Sequence, residues 1–487
     1  MHRSAPSASN GSGEPPLAVD LDGTLIGTDS LFEGVLQVLK RNPVLLVMLP
    51  VWLLRGKAAL KREVADRVEL DVEFLPYNAA LVGRLRAERP NRTLVLCTAA
   101  DHRFAAAVAK HLDLFHDVMA TRDNVNLSSG NKAEALVTRY GAQGFDYAGN
   151  AAADLRVFQE ARRSVVINPT FGLRRRLGRI TNLEPVQQSR PGFSLKPYLQ
   201  ALRPHQWVKN ILIFVVLLAT FDGSHFDTIL PAVLGFVSFC LVASAGYLLN
   251  DLIDLGADRR HPRKRERPLA AGTVPLSHAL IMIPALIVGG VLVALQVSVL
   301  FLGTLVLYGL GTTLYTFWFK RVPLLDTLLL SGLYTLRILA GAAAVVEEPS
   351  FWLLSFSMFF FLSLALAKRH SELRELEGPE RAAAIPGREY RAEDLSTLIS
   401  QGAASGYAAV LVLALYIDSS SVREHYRHPK IIWLICPLVL YWINKLWLNS
   451  QRRQIKEDPV VWAFQNRVSR VIAVLSVGLL LLARFLP

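Results

Sequence analysis

The rhythm of hydrophobic positions changes near residue 200. Before that point, short apolar runs alternate with amphipathic stretches. Leu17-Ala18-Val19-Asp20 and Thr93-Leu94-Val95-Leu96-Cys97 read as buried strands, and further strands are predicted at 116–121, 146–150 and 164–168. Helical spacing lies between them, for example at 103–111 and 132–140. This alternation predicts a parallel, doubly wound, Rossmann-like α/β sheet with its sites at the carboxyl ends of strands. After residue 205 the apolar runs lengthen, at 207–221, 229–249, 278–297, 299–318, 322–346, 351–367, 400–417, 431–448 and 469–486. A helix of about 20 apolar residues spans a bilayer. The expected fold is therefore two-part: an α/β domain over 17–170, then an all-α polytopic membrane bundle of about nine helices over 205–487. A Ser-, Gly- and Pro-rich tail is expected over 1–16 and a basic linker over 171–204.

Charge refines the picture. The net charge is +13, but the basic residues flank apolar runs, which points to anionic lipid and phosphorylated substrates and to no nucleic acid. With the chain before residue 207 in the cytoplasm, the inside loops are 250–277, 319–321, 368–399 and 449–468. The outside loops then hold only Arg423, Arg427 and Lys430. That is the positive-inside pattern of a multi-pass protein of the cell (inner) membrane, with a cytoplasmic α/β domain and an outside C-terminus. Cys97, Cys240 and Cys436 form no CxxC pair, so no disulfide framework or zinc site is implied. The apolar run 43–54 is too short to span and contains Pro50. It reads as a buried helix, or alternatively as one lying in a membrane surface.

Asp20-Leu21-Asp22-Gly23-Thr24 follows the first strand. Two carboxylates two residues apart on a Gly turn suit attack on phosphorus, one as nucleophile and one as proton donor, and offer oxygen ligands to Mg²⁺. An Asx-Gly turn without chemistry is the plain alternative. This stretch resembles motif one of the haloacid dehalogenase superfamily. The resemblance implies a phosphate-binding hydroxyl at Thr98, ending the second strand, and a phosphoryl-steadying lysine at Lys132. It implies metal ligation by Asp20, Asp22, Asn150 and Asp154. It also implies a cap, here about 25–90. Asn150 departs from the family's usual aspartate, which puts phosphatase turnover in question.

The second candidate site follows the second long apolar run, at Asn250-Asp251-Leu252-Ile253-Asp254-Leu255-Gly256-Ala257-Asp258. Continued helix would set Asn250, Asp254 and Asp258 near one face with Asp251 beside it. Carboxylates crowded at a membrane mouth repel one another, and Mg²⁺ relieves this by bridging them to a diphosphate. Lys264 and Arg267 follow, placed to offset phosphate charge. The plain alternative is a solvated charged loop. The motif, with Arg267-Pro268-Leu269-Ala270-Ala271-Gly272 after it, resembles the first aspartate-rich motif of the UbiA superfamily of intramembrane prenyltransferases. The family's usual second aspartate pair is missing. In its place stand Lys368, Arg369 and Arg388, expected to hold phosphate, with Glu372 as a possible ligand.

That departure, with Arg203-Pro204-His205-Gln206-Trp207-Val208-Lys209-Asn210 and with Asp326, Arg337 and Gly341, resembles the decaprenyl-phosphate phosphoribosyltransferase branch. The resemblance implies a Mg²⁺-dependent displacement of diphosphate, with phosphoribosyl diphosphate (PRPP) as donor and a polyprenyl phosphate as acceptor. Lys209, Asn210 and Arg337 would then bind substrate, although Arg337 paired with Asp326 is a competing structural reading. The alternatives are transfer of a polyprenyl diphosphate to an aromatic acid, a membrane-anchored phosphatase, and a non-catalytic lipid-binding scaffold.

Overall fold

The computed structural model describes residues 14–122, 125–180, 182–186, 194–220, 226–375, 389–419, 422, 426–455 and 458–486. The chain divides into two compact units: Met1–Ala201 with Leu249–Ile281, and Leu202–Leu248 with Met282–Pro487.

In the first unit, β1 (Glu14–Val19), β2 (Arg92–Asp101), β3 (Asp117–Thr121), β4 (Asp146–Gly149) and β5 (Arg163–Val166) form one sheet in the order β3-β2-β1-β4-β5. All pairings are parallel. Helices cover both faces, so the central strands are apolar without alternation: Leu17, Ala18, Val19, Leu94, Val95, Leu96 and Cys97 are at most 1% exposed. The chain winds outward from β1 to β3, then returns to β4 on the other side of β1. The strand order reverses there, which opens a crevice at the carboxyl ends of β1 and β4.

Several boundaries differ from expectation. Glu14, Pro15 and Pro16 belong to β1 rather than to a tail, because Arg92 donates to the Pro15 carbonyl from Nε (3.0 Å) and Nη2 (2.6 Å). Residues 1–13 lie outside the described residues. β2 continues to Asp101, so Thr98 sits inside the strand rather than at its end. The start of the expected linker folds onto the sheet: Leu173 and Ile180 are buried, with Leu177 and Leu183 packed beside them. Arg174, Arg175, Arg176, Arg179 and Lys196 keep the exposed basic character expected there.

Short helices fill the stretch between β1 and β2, including Ser30–Arg41, Lys57–Ala65 and Ala79–Glu88. Asp29 caps the first by accepting from Leu31 N and Phe32 N. The run 43–54 is not a buried helix. Pro43–Val47 is a 3₁₀ turn and Met48–Leu54 one short helix. Trp52 turns inward, 3% exposed beneath the Arg67 guanidinium, and Leu45 packs partly buried beside Val38 and Val64, while Val44, Leu46, Val47, Leu53 and Leu54 are all more than half exposed. With Lys40, Arg41, Arg55 and Lys57 flanking it, this surface has the composition of an interfacial membrane contact.

The second unit is helical. Among the described residues eight helices of the chain are long and apolar enough to cross a membrane: Ile229–Ile253, Leu276–Ala294, Val299–Phe317, Leu325–Val345, Phe351–Glu375, Ala392–Ile417, Pro429–Gln451 and Arg467–Phe485. The chain is therefore a multi-pass membrane protein. The ninth expected span, 207–221, is built as a 3₁₀ helix Pro204–Ile213 followed by an α-helix Phe214–Thr220. Its polar residues explain the break. Trp207 Nε1 donates to Ser244 Oγ (3.0 Å), and Asn210 Nδ2 reaches Cys240 Sγ (3.3 Å). At about 2.0 Å and 1.5 Å rise per residue, the two pieces end to end reach roughly 30 Å, the thickness of a bilayer's hydrocarbon core.

Gly341 lets this segment approach the helix Leu325–Val345. A Cβ there would meet the Ile213 carbonyl oxygen at 2.1 Å. We expect Gly341→Ala to cost about 1–3 kcal/mol through overpacking, seen as a lower unfolding temperature in detergent. An unchanged temperature would show that the segment does not press on the helix.

Candidate functional sites

Asp20 stands at the carboxyl end of β1, with its N–H bonded to the Ala148 carbonyl (2.9 Å). The chain then turns sharply through Gly23, whose φ of +74° is left-handed. A Cβ on Gly23 would also lie 2.1 Å from Asn150 Nδ2, so glycine is required twice over. Lys132 is 2% exposed, on the helix Gly130–Tyr140. Its Nζ donates to Asp20 Oδ1 (3.0 Å), Asp154 Oδ1 (3.1 Å) and the Tyr147 hydroxyl (3.0 Å). Asp22 turns away and accepts from Ser30 N (2.8 Å) and Ser30 Oγ (3.1 Å). Thr98 is fully buried, and Asp20, Asp22, Thr98, Lys132, Asn150 and Asp154 all line one cavity of about 630 Å³.

Burial pushes the Asp20 carboxyl up to about 6, against the pull of Lys132. Burial also pushes Asp22 well above the usual carboxylate range, with Asp29 and Asp20 adding to the effect. This pairs an anchored carboxylate beside a lysine with a second carboxyl inclined to hold its proton, as nucleophile and acid require. The parallel sheet places all six of these residues at one cavity, as the sequence expectation for the α/β domain required.

The aspartate-rich segment belongs to the same unit. The helix Ile229–Ile253 breaks at Asp254 and resumes over Leu255–Arg260, yet Asp254 N still bonds Asn250 O (2.9 Å) and Asp258 N bonds Asp254 O (2.8 Å). Two turns apart, Asp251 and Asp258 converge on Arg267, whose Nη1 lies 3.2 Å from Asp251 Oδ1 and 2.6 Å from Asp258 Oδ2. Both carboxylates are 3% exposed. Asp251 is thus the closer companion of Asp258, where sequence spacing had favoured Asp254. Asn250 and Asp254 are half-buried and Lys264 is exposed. Gly272, at φ +67°, lets the chain fold back after Arg267. Burial pushes Asp258 up to about 6, partly offset by Arg267 and reinforced by Asp251.

Among the described residues, no three His, Cys, Asp or Glu side chains converge as a ready-made metal cage. Mg²⁺ does not require one, since it is held by one or two carboxylates, waters and substrate phosphate. One cationic nitrogen already bridges Asp251 and Asp258, so this pair fits a cation. In the other site Asp20 and Asp154 are bridged by Lys132 in the same way, and the neutral Asn150 adds only a carbonyl oxygen.

The second unit gathers charge of the opposite sign. Lys209 Nζ (2.8 Å) and Lys368 Nζ (2.9 Å) both donate to Asp458 Oδ2. The Tyr334 ring lies against both Lys209 (5.8 Å) and the Arg337 guanidinium (5.3 Å). Arg337 does not pair with Asp326. Its partners are neutral: Asn210 Oδ1 (2.9 Å), the Leu333 carbonyl (2.6 Å) and the Tyr308 hydroxyl (3.0 Å). Two lysines on one carboxylate, with Arg337 against the same Tyr334 ring and held by neutral partners, leave an excess that suits a phosphate. Asp326 is instead taken by Arg369 and Tyr390. Arg369, expected at a phosphate, is fully buried among Asp326, Glu372 and Tyr315, so its place is structural. Arg388 lies outside the described residues.

Sequence reasoning missed Asp458, although Asp458-Pro459 is a cap-plus-proline helix start and marked an ordered position. It also missed Arg259, next to Asp258. Arg259 is bidentate with Glu33, through Nη1 to Oε2 (3.0 Å) and Nη2 to Oε1 (2.6 Å).

The model of the UbiA prenyltransferase family matches residues 211–468. The chain belongs to the UbiA prenyltransferase family. It is a transferase of that superfamily, with a parallel α/β domain on its N-terminal side. Uncharacterized protein y4nM of Sinorhizobium fredii is 34% identical over 475 residues, 96% of this chain and 91% of that one. The decaprenyl-phosphate phosphoribosyltransferase of Corynebacterium glutamicum is 40% identical over 185 residues, covering 36% of this chain and 54% of the relative. Among solved structures, a UbiA homologue from Archaeoglobus fulgidus bound to GPP and Mg²⁺ matches 58% of this chain and 99% of that one, at 16% identity and a TM-score of 0.46.

Two tests follow, one for each acidic site. Lys132→Met leaves Asp20 and Asp154 buried without a cation and is expected to cost about 3–5 kcal/mol. Hydrogen exchange of peptides within 14–166 will quicken, and adding Asp20→Asn will relieve part of the loss. The second test is pH. A carboxyl raised to about 6 binds its proton in the folded chain at pH values where an unfolded one has released it. The stability tied to protonated Asp258 is therefore lost as pH rises through about 6, while cation binding needs the ionised form and weakens as pH falls below it. The Mg²⁺ concentration for half-saturation, read by calorimetry, is expected to rise below pH 6. A flat profile would remove Asp258 from the cation site.

Proposed function

We propose that the UbiA-like part transfers phosphoribose from PRPP to a polyprenyl phosphate, and that the attached domain hydrolyses a phosphate monoester. The observation that carries the first reading is the paired charge pattern. Asp251 and Asp258 form an acid-excess cluster around one cation. Lys209 and Lys368 on one carboxylate, with Arg337 against the same Tyr334 ring as Lys209, form a cation-excess cluster. The first kind of cluster suits a divalent cation and the second a phosphate group, the two chemistries that transfer from a diphosphate donor to a lipid phosphate calls for. The similarity to decaprenyl-phosphate phosphoribosyltransferases supports this donor and acceptor.

Mg²⁺, when bound, neutralises leaving diphosphate. Asn250, Asp251, Asp254 and Asp258 would hold it. Lys264 and Arg267 would meet the remaining phosphate charge, and Lys209, Arg337 and Lys368 would hold a phosphate group while Asn210 orients Arg337. The lipid phosphate attacks the anomeric carbon as the diphosphate leaves. Positive charge then grows on carbon and negative charge on the departing oxygens, where fixed cations act most strongly. In the attached domain Asp20 would attack phosphorus, Asp22 would protonate the leaving oxygen, and Lys132 and Thr98 would hold the phosphoryl group. The positive-inside pattern supports a cytoplasmic α/β domain in the inner membrane.

In membranes with Mg²⁺, polyprenyl phosphate and radiolabelled PRPP, label is expected to enter the lipid phase. Asp254→Asn and Asp258→Asn should each lower this by about 10²-fold or more, with the helical circular dichroism kept. Absence of label, with activity on a polyprenyl diphosphate and an aromatic acid, would overturn the phosphoribosyl reading in favour of aromatic prenyl transfer.

A further inference from the structure

The cavity around Asp20 is not closed by the α/β domain alone. Asp20, Thr98 and Lys132 form its floor, Lys61 reaches in from the helix Lys57–Ala65, and Pro275, Leu276, Ser277 and His278 form a further wall. These last residues lie in the stretch that follows the aspartate-rich motif. They open the helix Leu276–Ala294, which is long and apolar enough to cross a membrane. A helix of that length and apolarity starts near a bilayer surface, which is where a pocket walled by its first turn would then open.

Two features show that the wall is built rather than incidental. The segment is pinned by the Arg259–Glu33 pair, whose side chains are 6% and 5% exposed. Arg259 Nε also holds the Ala270 carbonyl (3.1 Å). Glu33 in turn accepts from the Thr28 hydroxyl (2.6 Å), and Thr28, Asp29 and Ser30 line the cavity. Second, His278 is set in place. Its Nδ1 lies 2.7 Å from the Tyr198 hydroxyl, and the two rings stack at 5.9 Å. Nδ1 is thereby engaged, which leaves Nε2 as the ring's other polar atom, on an exposed residue that lines the cavity.

We propose that this cavity takes a phosphate monoester carried on a lipid, with Ser277 and His278 recognising the group between phosphate and lipid. The substrate is then the product of the transferase half, a lipid-linked sugar phosphate, and this identification rests on the proposed transfer reaction. A volume of about 630 Å³ holds a sugar phosphate head group, within the usual span of about 300–1,000 Å³ for ligand pockets, while the polyprenyl chain stays in the bilayer. In the reaction, an Asp20 oxygen bonds to phosphorus as the phosphorus–ester oxygen bond breaks. The ester oxygen takes a proton from Asp22 and leaves as the lipid-linked sugar alcohol. Water then attacks phosphorus, inorganic phosphate departs, and both carboxyls are restored. The balance is ester plus water giving alcohol plus phosphate. His278 acts as a specificity residue and takes no part in bond breaking.

The test uses the full chain in nanodiscs with Mg²⁺, polyprenyl phosphate and PRPP radiolabelled on its 5-phosphate. Label is expected first in lipid and then as inorganic phosphate, and Asp20→Asn should stop it in lipid. His278→Ala is expected to slow release from the lipid-linked ester by about tenfold, the loss of one hydrogen bond. Hydrolysis of p-nitrophenyl phosphate, which reaches mainly the floor, is expected to fall by less than that of the lipid-linked ester in His278→Ala, so the ratio of the two rates is the readout. Three results would overturn the proposal. Label could form in lipid and never be released. Free ribose 5-phosphate could be hydrolysed as fast as the lipid-linked ester. His278→Ala could slow both substrates alike. If no label enters lipid, the transfer reading has failed, and a synthetic prenyl-phosphoryl ribose 5-phosphate then tests the cavity by itself: its hydrolysis sustains the proposal and its resistance refutes it.

Discussion

Every buried carboxylate among the described residues is held by a cation within 3.2 Å: Asp20, Glu33, Asp101, Asp146, Asp154, Asp251, Asp258 and Asp326. Taking a carboxylate out of water costs several kcal/mol even after relaxation, and only a close, well-oriented partner offsets it. The fold meets this constraint at each of its candidate sites, and the stoichiometry of each cluster then decides what it can bind. Lys132 and Arg267 each serve two carboxylates, which leaves a negative excess that a divalent cation relieves. Asp458 serves two lysines, with Arg337 against the same Tyr334 ring as Lys209, which leaves a positive excess that a phosphate relieves. The same pairing that stabilises the folded chain therefore also sorts its sites by the sign of their ligand.

This constraint marks where sequence reading succeeds and where it stops. The strands of the α/β unit were legible because a sheet covered on both faces needs unbroken apolar runs, and β1, β2 and β4 show them. The helices longer than a bilayer were legible for the same reason, their length. The acidic members of the clusters were legible too, since Asp20 with Asp22 and Asp251 with Asp258 sit close together in sequence. Their counter-charges were harder to find. Glu33 meets Arg259 across 226 positions and Lys209 meets Asp458 across 249. No local spacing encodes such a pair. A charged residue that looks like a substrate anchor in sequence is as readily a structural partner, as Arg369 became when Asp326 and Glu372 took its guanidinium.

Local polarity explains the remaining differences. The segment 204–220 fails as a single α-helix because Trp207, Lys209 and Asn210 each reach a polar partner, and the 3₁₀ geometry turns them toward those partners. The stretch 43–54 carries prolines at both its first position and its middle, so it forms short pieces that turn Trp52 and Leu45 inward. Most of its other apolar side chains stay outside, and exposed apolar surface of this kind calls for a covering medium. In a multi-pass protein with basic residues on either side of the patch, a bilayer surface is the covering with matching chemistry.

The position of Arg259 ties these points together. It follows Asp258 directly, so the residue that would face a bound cation and the residue locked to Glu33 share one turn of helix. Glu33 also takes the Thr28 hydroxyl, beside the Asp22–Ser30 contact that shapes the Asp20 turn. A displacement of the aspartate-rich helix would have to break a bidentate ion pair buried to within 6% exposure, leaving Glu33 uncompensated. Breaking such a pair costs about 3–5 kcal/mol, more than most local rearrangements supply. The aspartate-rich segment and the floor of the Asp20 cavity are thus held in fixed register within one unit, although one carries the acidic motif that precedes the membrane helices and the other lies in the α/β domain. That register, rather than either motif alone, is what distinguishes this chain from a transferase with an unrelated domain attached.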